Sequence, residues 1–417
     1  MRCAWLFVTV LAVAACGDDG ATTPVDSGGS ADAPQADAPG PTCENQGAIG
    51  ELIRRQGNPR VLPGTTFSDG KLDIHIADPD VRWDAATSRW EAYWAAGHGS
   101  SYMAADLVPI IRRATSTDRM TWTLDDTAAF AASPDPQAWD HGNMETPTVI
   151  YNPSAAPDRR YLMLYSGANG AFPHAGYGFA NYQIGAAFSA DGRTFTRVPA
   201  TESPHGKAGL VLTGAQVYPT GVDGIVADPE LVLVGSTYHL YFSSFSCSGV
   251  DCATAATYGV AHATSTDGVN WTIAEAPIRS LLKTSAQTSG GSQPSVIYDP
   301  VHCKWEMWLK SDAEADVAGQ AVAFNNMAGM YKAESSDGVS WSINYAFARD
   351  FAWMQAEPGE GLGLLTGADV AMNGNGRLML YVGFDDQSVP SGFVLPLRAG
   401  GATAGVFTLN VATRDLP

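Results

Sequence analysis

Residues 77–84 read ADPDVRWD, and the stretch does not stand alone. Related segments recur as ETPTVIYN (145–152), ADPELVLV (227–234), SQPSVIYD (292–299) and GADVAMNG (367–374). With Pro79, Pro147, Pro229, Pro294 and Ala368 aligned, successive copies lie 68, 82, 65 and 74 residues apart. Each is followed by an alternating aromatic run: RWEAYWAAG, RYLMLYSG, TYHLYFSS, KWEMWLKS and RLMLYVGF. Alternation at period two, rich in Trp, Tyr, Phe and Val, marks β-strands.

A second element follows the first four copies: ATSTDRMTW (114–122), AFSADGRTF (187–195), ATSTDGVNW (263–271) and AESSDGVSW (333–341). A Ser-x-Asp-Gly turn ending in Trp or Phe joins two strands, because Gly accepts φ > 0 and the aromatic packs back. These turns are read as structural. They resemble the Asp boxes of sialidases with one residue missing, and Arg82, Arg112 and Arg349 form no pattern that suggests a sialidase. The fifth copy lacks the turn, and SGFVLPLRA and VFTLNVATR are expected to supply its outer strands. Five units of about four strands predict an all-β fold, a five-bladed β-propeller of four-stranded antiparallel blades over residues 43–417.

Composition agrees. Among 417 residues there are 44 Gly and 11 Trp, and only 16% are charged, which excludes a coiled coil, a helical bundle and a disordered chain. The net charge of −19, with no run of Lys or Arg, excludes a nucleic-acid binder and makes an anionic polymer a poor substrate. The first residues, MRCAWLFVTVLAVAAC, join Arg2, an apolar stretch too short to span a bilayer, and small residues before Cys16. This resembles a bacterial lipoprotein signal (1–16) with Cys16 as the lipidated residue. The expectation is export to the cell envelope, at the outer membrane or cell surface, held by lipid alone. Residues 17–42 hold five Asp, five Gly, five Ala and four Pro, and read as a disordered tether. Of the remaining cysteines, Cys247 and Cys252 flank a short glycine-containing loop and are expected to pair, leaving Cys43 with Cys303. A monomer is expected.

In a propeller the innermost strands surround a channel, and the repeated segment brings acids there. Asp78 and Asp80, then Glu145, then Asp228 and Glu230 converge, with Gln293 and Asp369 from the last two copies. Carboxylates crowded in one funnel repel, so at least one should titrate high. Glycoside hydrolysis uses that asymmetry: a protonated carboxyl donates to the leaving oxygen while an ionised one acts as base or nucleophile.

On the Asp-Pro and acid-x-Pro openings and the STDGxxW turns, residues 55–417 resemble the arabinanase/invertase-like propeller glycoside hydrolases. The resemblance implies Asp78 as base and Asp228 as the acid's tuning partner. The family places Glu-x-Pro in its third blade, whereas here Glu145-Thr-Pro147 lies in the second copy and the third carries Asp228-Pro229-Glu230. Glu145 is the preferred acid and Glu230 the alternative. The likeness to the arabinanase side implies inversion. Trp83, Trp94, Trp139, His98 and His141 are candidates to bind sugar, beside Asp80, Gln293 and Asp369. No cofactor is expected and no metal site is assigned: no Cys/His spacing suggests zinc, and the His and Asp placement gives no firm support for a calcium in the channel. The partner expected is a neutral oligo- or polysaccharide. The competing reading is a carbohydrate-binding or adhesion propeller without catalysis.

Overall fold

The computed structural model describes residues 52–55, 60–61, 63–101, 104–169, 182–218, 223–247, 257–278, 292–300, 302–311, 329–344, 366–373, 376–385, 395–396 and 404–414. The leader, the tether, Cys16, Cys43 and Cys252 lie outside them, as does the side chain of Cys247, so both cysteine pairings do too.

The strands form five antiparallel sheets. The first runs Leu72–Asp84, Arg89–Gly99, Val108–Ser116 and Thr123–Leu124, and the second Asn143–Tyr151, Tyr161–Ala168, Gln183–Ser189 and Thr196–Arg197. The third runs Asp223–Val234, Thr237–Cys247, Thr257–Ser265 and Thr272–Ile278, and the fourth Ser292–Asp299, Lys304–Ser311, Gly329–Ser335 and Trp341–Asn344. The fifth begins with Thr366–Asn373, Gly376–Asp385 and Ala404–Arg414. Short extra strands, Phe130–Ala131, Leu210–Leu212 and Leu395–Pro396, attach to the first, second and fifth sheets. The outer part of the fifth sheet matches the expectation and adds to it. VFTLNVATR lies in Ala404–Arg414, and Leu395–Pro396 of SGFVLPLRA pairs with it at Gly405 and Ala404. A further outer strand, Ile53–Arg54, pairs with Thr413 and Ala412 and was not expected.

Each innermost strand packs against those of two other sheets, in the order first to fifth and back to the first. This radial arrangement is that of a β-propeller. Core clusters lie between the sheets. Along Arg89–Gly99, Trp90, Ala92, Trp94 and Ala96 face Leu378, Leu380 and Val411 of the fifth sheet. The intervening Tyr93 and Ala95 face Met163, Tyr165 and Ala187 of the second. Period-two alternation thus buries both faces of the strand, each in a different interface.

The four Ser-x-Asp turns are built alike. The Oγ of Ser116, Ser189, Ser265 and Ser335 accepts two backbone N–H groups and donates to the Asp two residues on. Three turns place Gly192, Gly268 and Gly338 at φ of 70–74°, and the first puts Arg119 at 68°. Tyr93 of the first sheet donates to the Gly192 carbonyl at 2.7 Å, so the turn also fastens neighbouring sheets.

That contact gives a graded expectation. A Cβ on Gly192 would lie 2.8 Å from Tyr161 Cε1 and 3.0 Å from Tyr93 Oη, whereas at Gly235 (φ +62°) a Cβ meets open space. Gly235→Ala should cost about 1–2 kcal/mol, the left-handed penalty alone. Gly192→Ala should cost about 1–3 kcal/mol more through overpacking. Urea unfolding measures both, and equal losses would refute the turn's fastening role.

Candidate active site

One backbone feature sets where the side chains of the repeated segment point. Asp78, Thr146, Asp228, Gln293 and Gly367 occupy equivalent places on the five innermost strands, and all have φ between 47° and 51°. The strand register slips there in every sheet, between Ala77 and Asp80, Glu145 and Thr148, Ala227 and Glu230, Ser292 and Ser295, and Thr366 and Asp369. A bulge with a left-handed residue re-aims the side chain, and four non-glycine residues accept the strain of that conformation. Hydroxyls from the preceding sheet help to hold it. Asp228 N–H donates to Ser166 Oγ at 2.9 Å, and Gln293 N–H to Ser243 Oγ at 2.8 Å. The five residues surround a cavity of about 30 Å³, with Glu230 and Asp369 also lining it.

Asp78, Asp228 and Gln293 are half-buried in this ring, and Thr146 is buried. Gln293 reaches Asp78, Nε2 to Oδ1 at 3.5 Å, while its Oε1 accepts Gly367 N–H at 3.2 Å. Gly367 makes room for Asp78: a Cβ there would lie 3.0 Å from Asp78 Oδ1.

Glu145 precedes the ring residue of the second sheet and is half-buried beside it. Asn143 donates to Glu145 Oε2 at 3.4 Å and to the hydroxyl of Tyr182, which in turn hydrogen-bonds Glu145. Burial, aided by the charge of Asp228, raises the Glu145 carboxyl to about 7. The Tyr182 hydroxyl is pushed well above its usual range by burial and by the charges of Glu145, Asp78 and Asp228. It therefore stays protonated and remains a donor. Tyr182 and Asn143 escape the sequence reading because neither belongs to the repeat. Asn143 had one signal: it sits two residues before Glu145, on the same side of the strand.

Two residues past the ring a second, deeper ring closes. Val81 N–H donates to Asp369 (2.6 Å), Leu231 to Thr148 (3.1 Å), Val296 to Glu230 (3.1 Å) and Val370 to Ser295 (2.9 Å); Val149 donates to Asp80. Each bond joins one sheet to its neighbour. Asp80 and Glu230 are pushed well above the carboxylate range by burial and then by neighbouring charge, that of Asp369 on both and that of Asp80 on Glu230, and burial raises Asp369 to about 6.

The aromatic and histidine candidates lie elsewhere, and the packing explains why. Trp94 is fully buried between the first and fifth sheets. Trp83 packs edge-on against Trp90 and lines a second cavity, of about 370 Å³, beyond the deeper ring. His98 has both ring nitrogens taken, at 2.9 Å from Asp73 and 2.9 Å from Asp69, with Arg112 clamped on Asp73. Trp139 stacks on Tyr165 and donates to the Ala208 carbonyl. His141 Nδ1 meets the Ser133 carbonyl at 2.6 Å. None of the five lines the small cavity.

No family model matches the sequence, and no curated protein matches it. Solved structures do. BT0996, in a complex with RGII, superposes with a TM-score of 0.56 at 13% identity, over 88% of this protein and 91% of that one. One described as "Glycoside hydrolase" gives 0.54 at 12% identity, over 88% and 93%. An N-acetylgalactosamine deacetylase from F. plautii, in complex with blood group B trisaccharide, gives 0.52 at 13%, over 87% and 95%. At these identities the likeness establishes the fold. The protein has a β-propeller fold, similar to the folds of these solved structures.

Proposed function

We propose that the five sheets are the five blades of one propeller whose channel mouth hydrolyses glycosidic bonds in a neutral glycan. Asp78 is the base, Glu145 the acid, and Asp228 tunes the acid and holds a sugar hydroxyl. The observation that carries this reading is the Glu145 carboxyl, raised to about 7 beside the carboxylate of Asp228. A group poised there gives up a proton readily at neutral pH, which a leaving sugar oxygen needs. Asp78 supports the other half: it is half-buried on the same rim, where it can meet a water. Glu230 serves the deeper ring in this reading, because the Val296 N–H already engages its Oε1. Inversion, lipid attachment through Cys16 at the cell envelope, and the pairings Cys247–Cys252 and Cys43–Cys303 complete the proposal.

Its test is a panel of neutral plant and microbial oligosaccharides, with new reducing ends quantified and the first-formed anomer read by NMR. New reducing ends with inverted configuration are expected. Saturable glycan binding without cleavage would favour a carbohydrate-binding propeller instead.

A further inference from the structure

The third sheet carries two histidines that the proposed chemistry does not use. His239 lies on Thr237–Cys247 and His262 on the neighbouring Thr257–Ser265. His239 Nδ1 stands 3.1 Å from His262 Nε2, and the two ring planes differ by only 7°. The pair is set between two sheets. His262 stacks on Tyr241 at 4.7 Å, and His239 packs against Trp305 of the fourth sheet at 5.1 Å. Tyr241 donates to the Gly338 carbonyl at 2.7 Å and so fastens the third sheet to the turn of the fourth. Val232, Val260, Val296 and Met307 complete this apolar interface. Two neutral imidazoles suit such a place. At 3.1 Å one ring donates and the other accepts, so the facing nitrogens hold one proton between them. With both rings charged, two N–H groups would point at each other and the bond would be lost. His262 is 3% exposed, and its Nδ1 is buried without a hydrogen-bond partner among the described residues. A cation there would leave a charged N–H unmet, and stacking on Tyr241 would offset only part of that penalty.

The surrounding titratable groups are otherwise engaged. Tyr241 and Tyr298 face the pair as phenols, which carry no charge at acid pH. Asp337 acts on Tyr241 but is tied to its own turn. Burial pulls its carboxyl up, and the N–H groups of Ser340 and Val339 outweigh that to hold it at about 2. Asp299 and Glu306 of the fourth sheet pair with Arg377 of the fifth, and Glu230 belongs to the deeper ring. Glu275 stands opposite His262 in register on the outer strand. We infer that the His239–His262 pair is an acid-sensitive joint: neutral, it packs the third sheet on the fourth, and protonated, it loosens that one interface. Burial lowers both histidines, and the charge of His239 adds to the lowering of His262, to about 4. Because both folded values lie below 6.5, the pair's contribution is complete above about 6.5 and is lost as pH falls from there towards 4. The raised carboxyls of Glu145 and Asp369 act in the opposite direction over the same range, so a local readout is needed to isolate the pair.

The test needs no substrate and is independent of the hydrolase reading. Hydrogen exchange, corrected for the intrinsic rate, is followed at about pH 7.5 and about pH 5. Peptides around Tyr241, His262 and Trp305 report the joint, and those around Tyr93 and Tyr165 report the interface of the first two sheets. Protection at the joint, relative to the other interface, should fall by about tenfold or more at the lower pH. His262→Phe keeps a ring against Tyr241 and cannot take a proton, so this pH response should vanish. His205→Gln, remote from the pair, and Glu275→Gln should keep it. In the parent, the histidine NMR signal that His262→Phe removes should titrate well below 6.5. A His262 signal with an ordinary midpoint, an undiminished response in His262→Phe, or a response abolished by Glu275→Gln overturns the proposal. If His262→Phe does not fold, exchange in the parent decides. Acid loss of protection confined to the third and fourth sheets supports the joint, and loss at every interface or at none refutes it.

Discussion

Asp78→Asn should lower kcat/KM on the natural glycan by about 10³-fold or more while the Tm changes little. A positioned base contributes roughly 10²–10⁴-fold, and the carboxamide cannot take the proton of the attacking water. The usual objection to such a variant is that it damages the fold, and here the backbone answers it. Asp78 sits at φ 50°, a conformation that Asn adopts as readily as Asp. The side chain is half-buried at the channel mouth and outside the deeper ring that joins the sheets. An amide of the same shape still fits against Gly367, where a Cβ would approach Asp78 Oδ1 to 3.0 Å. Steady-state kinetics and thermal melts of the same preparation check the expectation. Wild-type activity in Asp78→Asn would remove the base assignment outright.

The sequence announces the ring of openings and hides what surrounds it, for a physical reason. Five copies of one segment mark five innermost strands, and their five central residues share one left-handed backbone. What the pattern cannot reveal is the bulge itself. Asp78 and Asp80 look equivalent at a spacing of two, yet the register slip between Ala77 and Asp80 sends one to the channel mouth and the other into the buried ring. The same slip separates Asp228 from Glu230. Aromatic alternation fails for a different reason. Both faces of a blade strand are buried, so Trp94 satisfies the strand pattern without facing the channel. Tyr182 and Asn143 are single-copy residues and leave no trace in a repeat. Ile53–Arg54, the outer strand of the fifth sheet, is two residues long and too short to show a period.

Glu145→Gln separates acid catalysis from every other role of this carboxyl. With the folded group raised to about 7, the parent protein holds this proton below pH 7 and loses it as pH rises through that value. Its activity should therefore fall on an alkaline limb near 7, and that limb should disappear in the variant. The loss should reach about 10²–10⁴-fold on a natural glycan, whose alkoxide leaves only when protonated. An activated aryl glycoside, whose departure needs little protonation, should lose far less. Stability follows the same proton. Because the folded value lies above the ordinary 4.5, the contribution is fully present below about 4.5 and is lost as pH rises through 7. Gln has no charge to bury, so the variant should be no less stable than the parent at pH 8 provided Asn143 and Tyr182 still hold it. Tyr182 has a hydroxyl to offer and Asn143 an amide, and a carboxamide can accept from both. Equal losses on both substrates would assign Glu145 to positioning. Full activity in Glu145→Gln together with a dead Glu230→Gln would move the acid to the deeper ring, and the channel chemistry would then begin two residues further in.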